Sequence, residues 1–420
     1  MHFWIFQSGE NLHLDNDNFR PMRAINLANT LINKGHTVSL WSSDFYHQKK
    51  KHRYKTFKKK KINNSLEIIL IPSPGYRKNK SILRLIDHFI LALNLKKKID
   101  IEKKLPDKVF IGFPPIETSY VLVDWCNKRK IPSLLDVKDR WPMIFLDNMP
   151  KIAKYILSLF VFPYLYIAKK TMKNASAICS ISDSNLKWCL NFSKRKKNNF
   201  DINIPLTSPN YQLTSKEREK ASLWFLKRGV LRNKIHKIIY IGSFSSKNFD
   251  FDCIFDAAEI LMSNKINCEF ILCGYGELTD YLKKKAKKNK MVKILEPIDA
   301  VKMSRLSELS SLFIAPYRNN QDFKDSIPNK INDALRLGIP LLCPLKGEVK
   351  NLINSYNVGI SYTNSKSLSK SVELLIKNPL LKKKISNNSK KLYQDKFEFN
   401  KNYNRLVQNL EQLNNYNKNL

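Results

Sequence analysis

The feature that most constrains the fold is an alternation, along most of the chain, of short apolar runs with segments of helical periodicity. The apolar runs fit buried strands, and the segments between them carry apolar residues every three or four positions. This β-α-β order builds parallel sheets that helices cover on both faces. The predicted strands lie at 1–7, 37–41, 65–72, 108–113, 131–137 and 177–182 in the first half, and at 237–244, 268–276, 291–297, 312–317 and 340–344 in the second.

The length of 420 residues exceeds what one ordinary hydrophobic core organises, which favours two domains. The alternation also breaks in the middle of the chain and then starts again. We therefore predict an α/β protein of two facing Rossmann-like domains, each a doubly wound parallel sheet. The predicted parts are an N-terminal domain over 1–200, a linker over 201–234, a second domain over 235–385, and a C-terminal helix over 386–420 that packs back toward the first domain.

The stretch DSIPNKINDALRLGIPLL, residues 325–342, predicts one short helix and then a buried strand. Ser326 is a good N-cap, and Pro328 is tolerated in a first turn whose amides need no intrahelical partner. Gly338 can adopt the left-handed conformation that ends a helix.

Two carboxylates bracket Lys330 in this stretch: Asp325 precedes the cap, and Asp333 lies within the helix. The simpler interpretation is that acidic residues favour helix N-termini through the helix dipole. The alternative is ligand binding, because ligands of open parallel sheets bind in the loops at the carboxyl ends of the strands.

The formal net charge of +38 is compatible with nucleic acid, an anionic membrane surface or phosphorylated substrates as partners. A general enrichment in lysine would also account for it, and the basic run over 49–61 is typical of a solvated loop. The seven cysteines form no C-x-x-C pair and lie mostly in apolar runs, which predicts buried thiols in a reducing compartment. Because neither cysteines nor histidines show metal-ligand spacing, we expect no metal and no cofactor.

Short motifs in the second half carry a family resemblance. They are YIGSFSSKNFD at 240–250, CGYGEL at 273–278, LFIAPYRN at 312–319 and the helix stretch at 325–342. In this order they resemble the donor-binding domain of retaining glycosyltransferases of the GT-B fold, in particular family 4. In the first half, residues 9–45 and 114–145 resemble a branch of that family used in bacterial surface-polysaccharide and O-antigen assembly. The resemblance covers about 1–191 and 237–362.

The resemblance implies a nucleotide-sugar site. In the stretch that corresponds to 325–342, the family carries two glutamates separated by seven residues. Asp325 and Asp333 keep that spacing with shorter side chains. Asp333 would then hold the ribose, and Asp325 would orient the 3- and 4-hydroxyls of the donor sugar. Lys330 and Lys247 are the implied partners of the leaving diphosphate. The implied donor-binding residues are Gly9, Gly242, Lys247, Gly274, Ser326, Asn329 and Asp333, and the implied catalytic residues are Asp139, Asp325 and Lys330.

The sequence departs from the family in the motif at 240–250, where members often have an arginine directly after the glycine. Ser243 stands at that position, and Lys247 is only an approximate match for the lysine that follows. We therefore expect diphosphate binding to depend on Lys330 and on backbone amides.

Two stations of the first half complete the predicted site. Gly9 follows the first strand, either as an ordinary turn glycine or as a point where backbone approaches the diphosphate. The stretch 136–142, DVKDRWP, is expected to place Asp136, Lys138, Asp139 and Arg140 at the cleft. Asp139 would contact the donor sugar or the acceptor hydroxyl; a structural role, such as pairing with Arg140, is the alternative.

The implied activity is transfer of a hexose or N-acetylhexosamine with retention, without a protein nucleophile, to a glycan or a lipid-diphosphate-linked glycan. A UDP-linked donor is favoured over a GDP-linked one by the resemblance. Two alternatives are weighed beside it. A GT-B-shaped epimerase or hydrolase would need its own acid and base, and we expect no histidine in the strand-end loops. A nucleic-acid binder would need a recognised module, which the sequence lacks.

The predicted location is cytoplasmic, with peripheral attachment to the inner face of the membrane as a further expectation. Two apolar helices, over 81–98 and 155–170, end in lysines and are too short in their apolar parts to cross a bilayer. Pro163 also interrupts the second. Basic residues beside exposed apolar ones suffice for reversible attachment to anionic lipid. The alternative is that both helices simply pack on the sheet of the first domain.

Overall fold

The structure is a computed structural model that describes residues 1–15, 21–79, 81–143, 151–230, 235–320, 323 and 326–414, with only the backbone over 151–160. The chain forms two compact units. Unit 1 comprises Met1–Pro205 and Lys401–Leu420, and unit 2 comprises Leu206–Asn400. The segments predicted as linker, 201–234, and as C-terminal helix, 386–420, each contribute residues to both units.

Unit 1 is built on one large sheet and a small hairpin. Its strands are β1 (His2–Phe6), β2 (Thr37–Ser43), β3 (Phe45–Tyr46), β4 (Lys51–His52), β5 (Lys58–Lys61), β6 (Leu66–Ile71), β7 (Lys108–Phe113), β8 (Ser133–Val137), β9 (Ala177–Ser180) and β10 (Ile202–Asn203). Its helices are α1 (Arg23–Asn33), α2 (Ile82–Asp100), α3 (Ile116–Lys128), α4 (Lys151–Asn174) and α5 (Asp183–Ser193).

The large sheet has the order β10-β9-β8-β7-β1-β2-β6-β5, and neighbouring strands are parallel except β5 and β6. The chain moves from β1 to β2 in one direction, and from β6 to β7 and onward in the other. Right-handed crossovers therefore place α1 on one face and α2 to α5 on the other. β1 and β7 flank the point where the direction reverses, which is where open parallel sheets bind ligands.

The interior position of β1 explains its composition. Its residues from Phe3 to Phe6 are at most 1% exposed, as expected for a strand that is covered on both faces. Burial of each such side chain contributes about 1.5–3 kcal/mol. The register of β1 against β2 and β7 therefore fixes the position at which the following loop, Gln7 to Glu10, leaves the sheet.

Unit 2 contains a second parallel sheet, formed by β11 (His236–Ile241), β12 (Cys268–Cys273), β13 (Val292–Leu295), β14 (Leu312–Ile314), β15 (Leu341–Cys343) and β16 (Gly359–Ser361). Its helices are α6 (Ser215–Leu226), α7 (Asp252–Ser263), α8 (Thr279–Lys288), α9 (Ala300–Glu308), α10 (Asn329–Leu337), α11 (Glu348–Tyr356), α12 (Ser365–Lys377) and α13 (Pro379–Leu392). A π-helical turn, Tyr393–Phe397, precedes α14 (Phe399–Gln412), which runs on into unit 1.

The strand order of this sheet is β13-β12-β11-β14-β15-β16. The direction reverses between β11 and β14, so the carboxyl ends of these two strands mark the ligand-binding position of unit 2. Both sheets confirm the predicted α/β, doubly wound architecture. The structure also adds elements that were not predicted, among them α5, α11 and β16.

Two local predictions were wrong. The run over 49–61 is not a loop: it contains β4 and β5, and the four lysines of β5 are exposed on an antiparallel edge strand. Pairing with β6 uses the β5 backbone and leaves the lysines in water, where they discourage further edge pairing. Ser326 does not cap α10, because Pro328 occupies the N-cap position and its carbonyl accepts from the amide of Ile331 at 2.9 Å.

Other local predictions were confirmed. Gly338 ends α10 with φ 64° and ψ 34°, in the left-handed region. Six of the seven cysteines are buried and Cys253 is half-buried. One related prediction was wrong: Pro163 does not interrupt the second apolar helix, because the backbone of α4 continues through it over 24 residues. Among the helices of the described residues, none is long and apolar enough to cross a membrane.

Candidate functional site

Two glycine turns meet at the carboxyl ends of β11 and β12. Gly242 follows β11 with φ +154°, and its amide donates to the carbonyl of Cys273 at 2.9 Å. A Cβ on Gly274 would lie 1.8 Å from the carbonyl oxygen of Gly242. The amide of Phe244 also donates to the carbonyl of Tyr275 at 3.0 Å. The two turns are thus locked backbone to backbone, and glycine is required where they cross.

The ammonium group of Lys330 lies directly above the first of these turns. A Cβ on Gly242 would be 1.8 Å from Lys330 Nζ, so the lysine occupies the space that a side chain would take. The same Nζ lies 5.1 Å from the ring centroid of Tyr240 and 5.2 Å from that of Phe249. Aromatic faces attract a cation at this distance and hold it in place. Lys330, Gly242 and Gly274, three of the predicted site residues, therefore come together.

The remaining site residues predicted in the stretch 325–342 lie on α10 or just before it. Asn329 is its first residue and is exposed, and Ser326 is half-buried in the segment before it. Asp333 is 6% exposed, and its Oδ1 lies 3.7 Å from Nη2 of Arg336 one turn later. Asp325 lies outside the described residues. Arg336 beside Asp333 was not predicted, although the i, i+3 spacing on a helix is a usable signal in the sequence.

Lys247 is exposed in the loop after the first glycine turn. The loop is held through its backbone: the carbonyl of Lys247 accepts from Nδ2 of Asn320 at 3.0 Å, and the carbonyl of Asn248 accepts from the amide of Arg318 at 2.8 Å. The predicted diphosphate role of Lys247 therefore stays a prediction.

Unit 1 has a pocket of about 200 Å³ at its own point of strand reversal. Gln7 to Glu10 line it after β1, Phe113 to Pro115 at the end of β7, and Lys138 with Asp139 after β8. Gly9 adopts φ +80°, with no atom within 4 Å of the place a Cβ would take. The pocket thus brings together Gly9 and Asp139, the two predicted site residues of the first half.

A buried charge network supports this pocket. Asp136 is fully buried, with Oδ2 3.5 Å from Nε of Arg23 and 3.6 Å from Nζ of Lys138. Lys138 also pairs with Glu10 and donates to Oε1 of Gln7 at 3.1 Å. Burial alone would lower the pKa of Lys138, but the carboxylates of Glu10 and Asp136 outweigh it and raise that pKa. Asp136, expected at an open cleft, is therefore a buried member of a network that positions the loop carrying Asp139.

The pocket also contains two histidines that were not predicted. No histidine was expected near the strand ends, yet His47, from the turn between β3 and β4, and His88, from α2, line its wall with Tyr76 and Arg84. The hydroxyl of Tyr76 lies 2.6 Å from Nδ1 of His47. These residues belong to no motif and are separated along the chain, so no sequence signal connected them.

Residues 226–392, most of unit 2, match the family model described as glycosyl transferases group 1. No curated protein sequence matches the chain significantly.

Several solved structures are similar over nearly the whole chain. A sucrose-phosphate synthase from Thermosynechococcus elongatus matches with 12% identity, a TM-score of 0.69 and 98% of both chains covered. WaaG, a glycosyltransferase involved in lipopolysaccharide biosynthesis, matches with 12% identity and a TM-score of 0.64, covering 98% of this chain and 100% of WaaG. Anabaena HepE, solved with UDP-glucose, matches with 13% identity and a TM-score of 0.61 over the same shares. At these identities the likeness shows the fold, which is GT-B.

Proposed function

We propose that the protein is a retaining glycosyltransferase that moves a sugar from a UDP-linked donor to a glycan or lipid-linked glycan in cell-surface polysaccharide synthesis. The observation that carries the proposal is the position of Lys330 above Gly242, at the strand reversal of the unit that matches the group 1 family. An ammonium group over a backbone turn without side chains is suited to bind the diphosphate of a nucleotide sugar. We assign Lys330 to the leaving diphosphate, whose charge develops during transfer.

The other donor-site assignments follow the positions of the side chains. Asp333, largely buried on the same helix, is proposed to accept hydrogen bonds from the ribose hydroxyls. Asn329 and Ser326 lie at the start of α10 and just before it, and helix N-termini attract anions. Asp325 lies outside the described residues; its proposed contact to the donor sugar rests on the sequence alone. HepE, among the similar structures, was solved with UDP-glucose and with UDP, which supports uridine as the nucleotide.

In unit 1 we propose that the pocket receives the acceptor. Asp139 is exposed there and would contact the acceptor hydroxyl, and Gly9 leaves space beside it. No metal or cofactor is assigned, because the proposed chemistry relies on positioning and charge stabilisation. WaaG, the similar structure named for lipopolysaccharide biosynthesis, supports a surface-glycan acceptor.

We further propose that the outer face of α2 attaches the protein reversibly to an anionic bilayer on the cytoplasmic side. Ile82 and Phe89 are 76% and 57% exposed, and Ile86 and Leu93 are exposed on the same helix. Lys96 and Lys97 follow at its C-terminal end. Exposed apolar side chains beside basic ones fit the interface of a bilayer that contains anionic lipid.

The proposal is tested by ligand binding and then by product analysis. UDP and UDP-sugars should raise the melting temperature of the full chain more than GDP, GDP-sugars or single-stranded RNA. The stabilising UDP-sugar, offered with lipid-diphosphate-linked glycans, should give a product in which nuclear magnetic resonance finds the anomeric configuration of the donor. Stabilisation by RNA but not by UDP would contradict the proposal, and inversion of the anomeric centre would contradict its retaining mechanism.

A further inference from the structure

Basic side chains cluster around the ring of Tyr76 in the wall of the unit 1 pocket. The Nζ of Lys50 lies 4.5 Å from the centroid of this ring, and the guanidinium carbon of Arg84 lies 5.6 Å from it. The imidazoles of His47 and His88 lie 5.7 Å and 6.3 Å away. Two separate elements supply the cluster, since His47 and Lys50 come from the turn between β3 and β4 while Arg84 and His88 come from α2.

The guanidinium of Arg84 has unused hydrogen-bonding capacity. Its Nη1 donates to the carbonyl of Asn79 at 3.0 Å, and its carbon lies 5.0 Å from the ring centroid of Trp141. Its Nη2 and its buried Nε donate to no atom of the described residues, and none of their carboxylates forms an ion pair with Arg84, which lines the pocket. A guanidinium N–H that finds no protein acceptor can donate to an oxygen of a ligand in the pocket.

His47 offers a second donor whose tautomer is fixed by its neighbours. Its Nδ1 lies 3.2 Å from Nζ of Lys50, and an ammonium group can only donate. Nδ1 therefore accepts, and the proton lies on Nε2, for which the described part of the chain provides no hydrogen bond. Burial, Lys50 and Arg84 together lower the pKa of His47 to about 4, so at neutral pH it is an uncharged N–H donor.

The carboxylates near the cluster do not balance its charge. Asp87 accepts from the amide of Gly75 at 2.6 Å, and burial raises its pKa. Glu117 accepts from the hydroxyl of Tyr164, its Oε2 lies 3.9 Å from Nδ1 of His88, and burial raises its pKa as well. Burial and the positive charge of Arg84 lower the pKa of Lys50 to about 8, as expected where cations lie close together without a carboxylate between them.

We propose that this cluster binds a phosphate or diphosphate group on the acceptor, with the guanidinium of Arg84 as the principal ligand and Nε2–H of His47 as a second donor. The planar guanidinium matches two oxygens of such a group. This inference rests on the proposed glycosyltransferase function, which puts the acceptor in unit 1. A phosphorylated sugar and the diphosphate of a lipid-linked acceptor share this chemistry.

The test is calorimetric titration of the full chain, first with UDP and then with acceptor probes while UDP is kept saturating. Saturation prevents the probes from binding at the donor diphosphate position. The probes are glucose 6-phosphate and farnesyl diphosphate, with glucose and farnesol as uncharged counterparts. At least one phosphorylated probe should bind at least tenfold more tightly than its uncharged counterpart, and the probe that does so identifies the source of the group.

Variants then assign the binding to the cluster. Arg84→Gln should raise the Kd of that probe at least tenfold while the Kd of UDP stays within twofold. Lys50→Gln should raise the Kd of the same probe about threefold. Because this change does not disturb the packing of Arg84 on Trp141, it keeps the test usable if Arg84→Gln fails to fold. The matched control is Arg129→Gln, since Arg129 lies over the ring of Trp125 at 4.4 Å, outside the pocket lining. It should change neither constant more than twofold.

The outcomes separate this inference from the function on which it rests. If UDP binds and neither phosphorylated probe does, the anion subsite is wrong and the donor site stands. Equal losses for Arg84→Gln and Arg129→Gln would also overturn the subsite. A chain that binds no UDP at all would overturn the proposed function, and this inference with it.

Discussion

The candidate sites of the two units lie at the same topological position, but one is formed mainly by backbone and the other mainly by side chains. In unit 2 the backbones of Gly242 and Gly274 cross, and one lysine, Lys330, fills the space above them. In unit 1 the pocket is walled by side chains, among them Tyr76 and Arg84, and it rests on a buried network of charges. A backbone site suits a ligand part that does not vary, such as a diphosphate. A side-chain site can be changed residue by residue, as an acceptor site requires.

The buried charges show the same difference. In unit 1, Asp136 lies between Arg23 and Lys138, so removing one partner would leave a buried charge uncompensated. In unit 2, Lys330 lies over the aromatic faces of Tyr240 and Phe249, and such contacts are weaker than a buried ion pair. We therefore expect changes at the centre of unit 2 to affect activity more than stability, and changes in the network of unit 1 to do the reverse.

The largest expected effect is on catalysis, from Lys330→Met. Methionine keeps an unbranched side chain over Gly242 and removes the charge that stabilises the leaving diphosphate. Loss of one such group typically lowers turnover about 100-fold, so we expect that loss for sugar transfer from the UDP-sugar. Steady-state kinetics with the full chain measure it.

The matched control is Lys302→Met. The ammonium of Lys302 also lies over an aromatic ring of unit 2, that of Trp224 at 5.4 Å, but it pairs with Asp299 away from the glycine turns. Turnover of this variant should stay within twofold of the unmodified protein. Equal losses in both variants would mean that the position of Lys330 over Gly242 has no catalytic meaning.

A smaller effect is expected on nucleotide binding from Asp333→Ala. Hydrogen bonds to a charged group contribute about 1.5–3 kcal/mol, so the Kd of UDP should rise tenfold or more. Because the change also leaves Arg336 without its carboxylate, the melting temperature should be measured beside the calorimetric Kd. Asp299→Ala, which removes a helix-capping carboxylate of α9, is the control. An unchanged Kd for Asp333→Ala would show that the ribose assignment is wrong.

These residues also show which parts of the site could be read from sequence. Gly242, Lys330 and Asp333 lie at strand ends or on the helix that follows, in short stretches whose order along the chain is informative. His47, Tyr76 and Arg84 meet only because a turn between two-residue strands and the first turns of α2 converge on one ring. Neither periodicity nor spacing encodes that meeting.

The errors in secondary structure have a similar cause. The lysines of β5 have little intrinsic preference for a strand. They form one because their backbone pairs with β6. Ser326 is a favourable cap by composition, but the extended backbone of Pro328 lets its carbonyl accept the first helical hydrogen bond. In the first case the pairing strand β6 determined the structure, and in the second the neighbouring Pro328 did. The residue preferences of β5 and Ser326 did not.

The smallest expected effect concerns the outer face of α2. Flotation with liposomes that contain anionic lipid should recover the protein at low salt and less of it at high salt, because each basic residue near the surface contributes only about 1 kcal/mol. The double variant Ile86→Ser/Phe89→Ser should reduce recovery several-fold. The control, Leu223→Ser/Leu226→Ser, removes two exposed leucines of α6 and should not. Recovery in the soluble fraction at both salt concentrations would contradict membrane attachment.

The central claim is that unit 2 binds the nucleotide around the glycine turns and the start of α10. Hydrogen–deuterium exchange of the full chain, with and without saturating UDP, tests it most directly, because it reports where amides become protected. We predict slower exchange in the segments 242–248, 274–278 and 329–333, and little change around Tyr76 and Arg84 in unit 1. Protection confined to the unit 1 pocket, or no protection in the three segments of unit 2, would contradict the account.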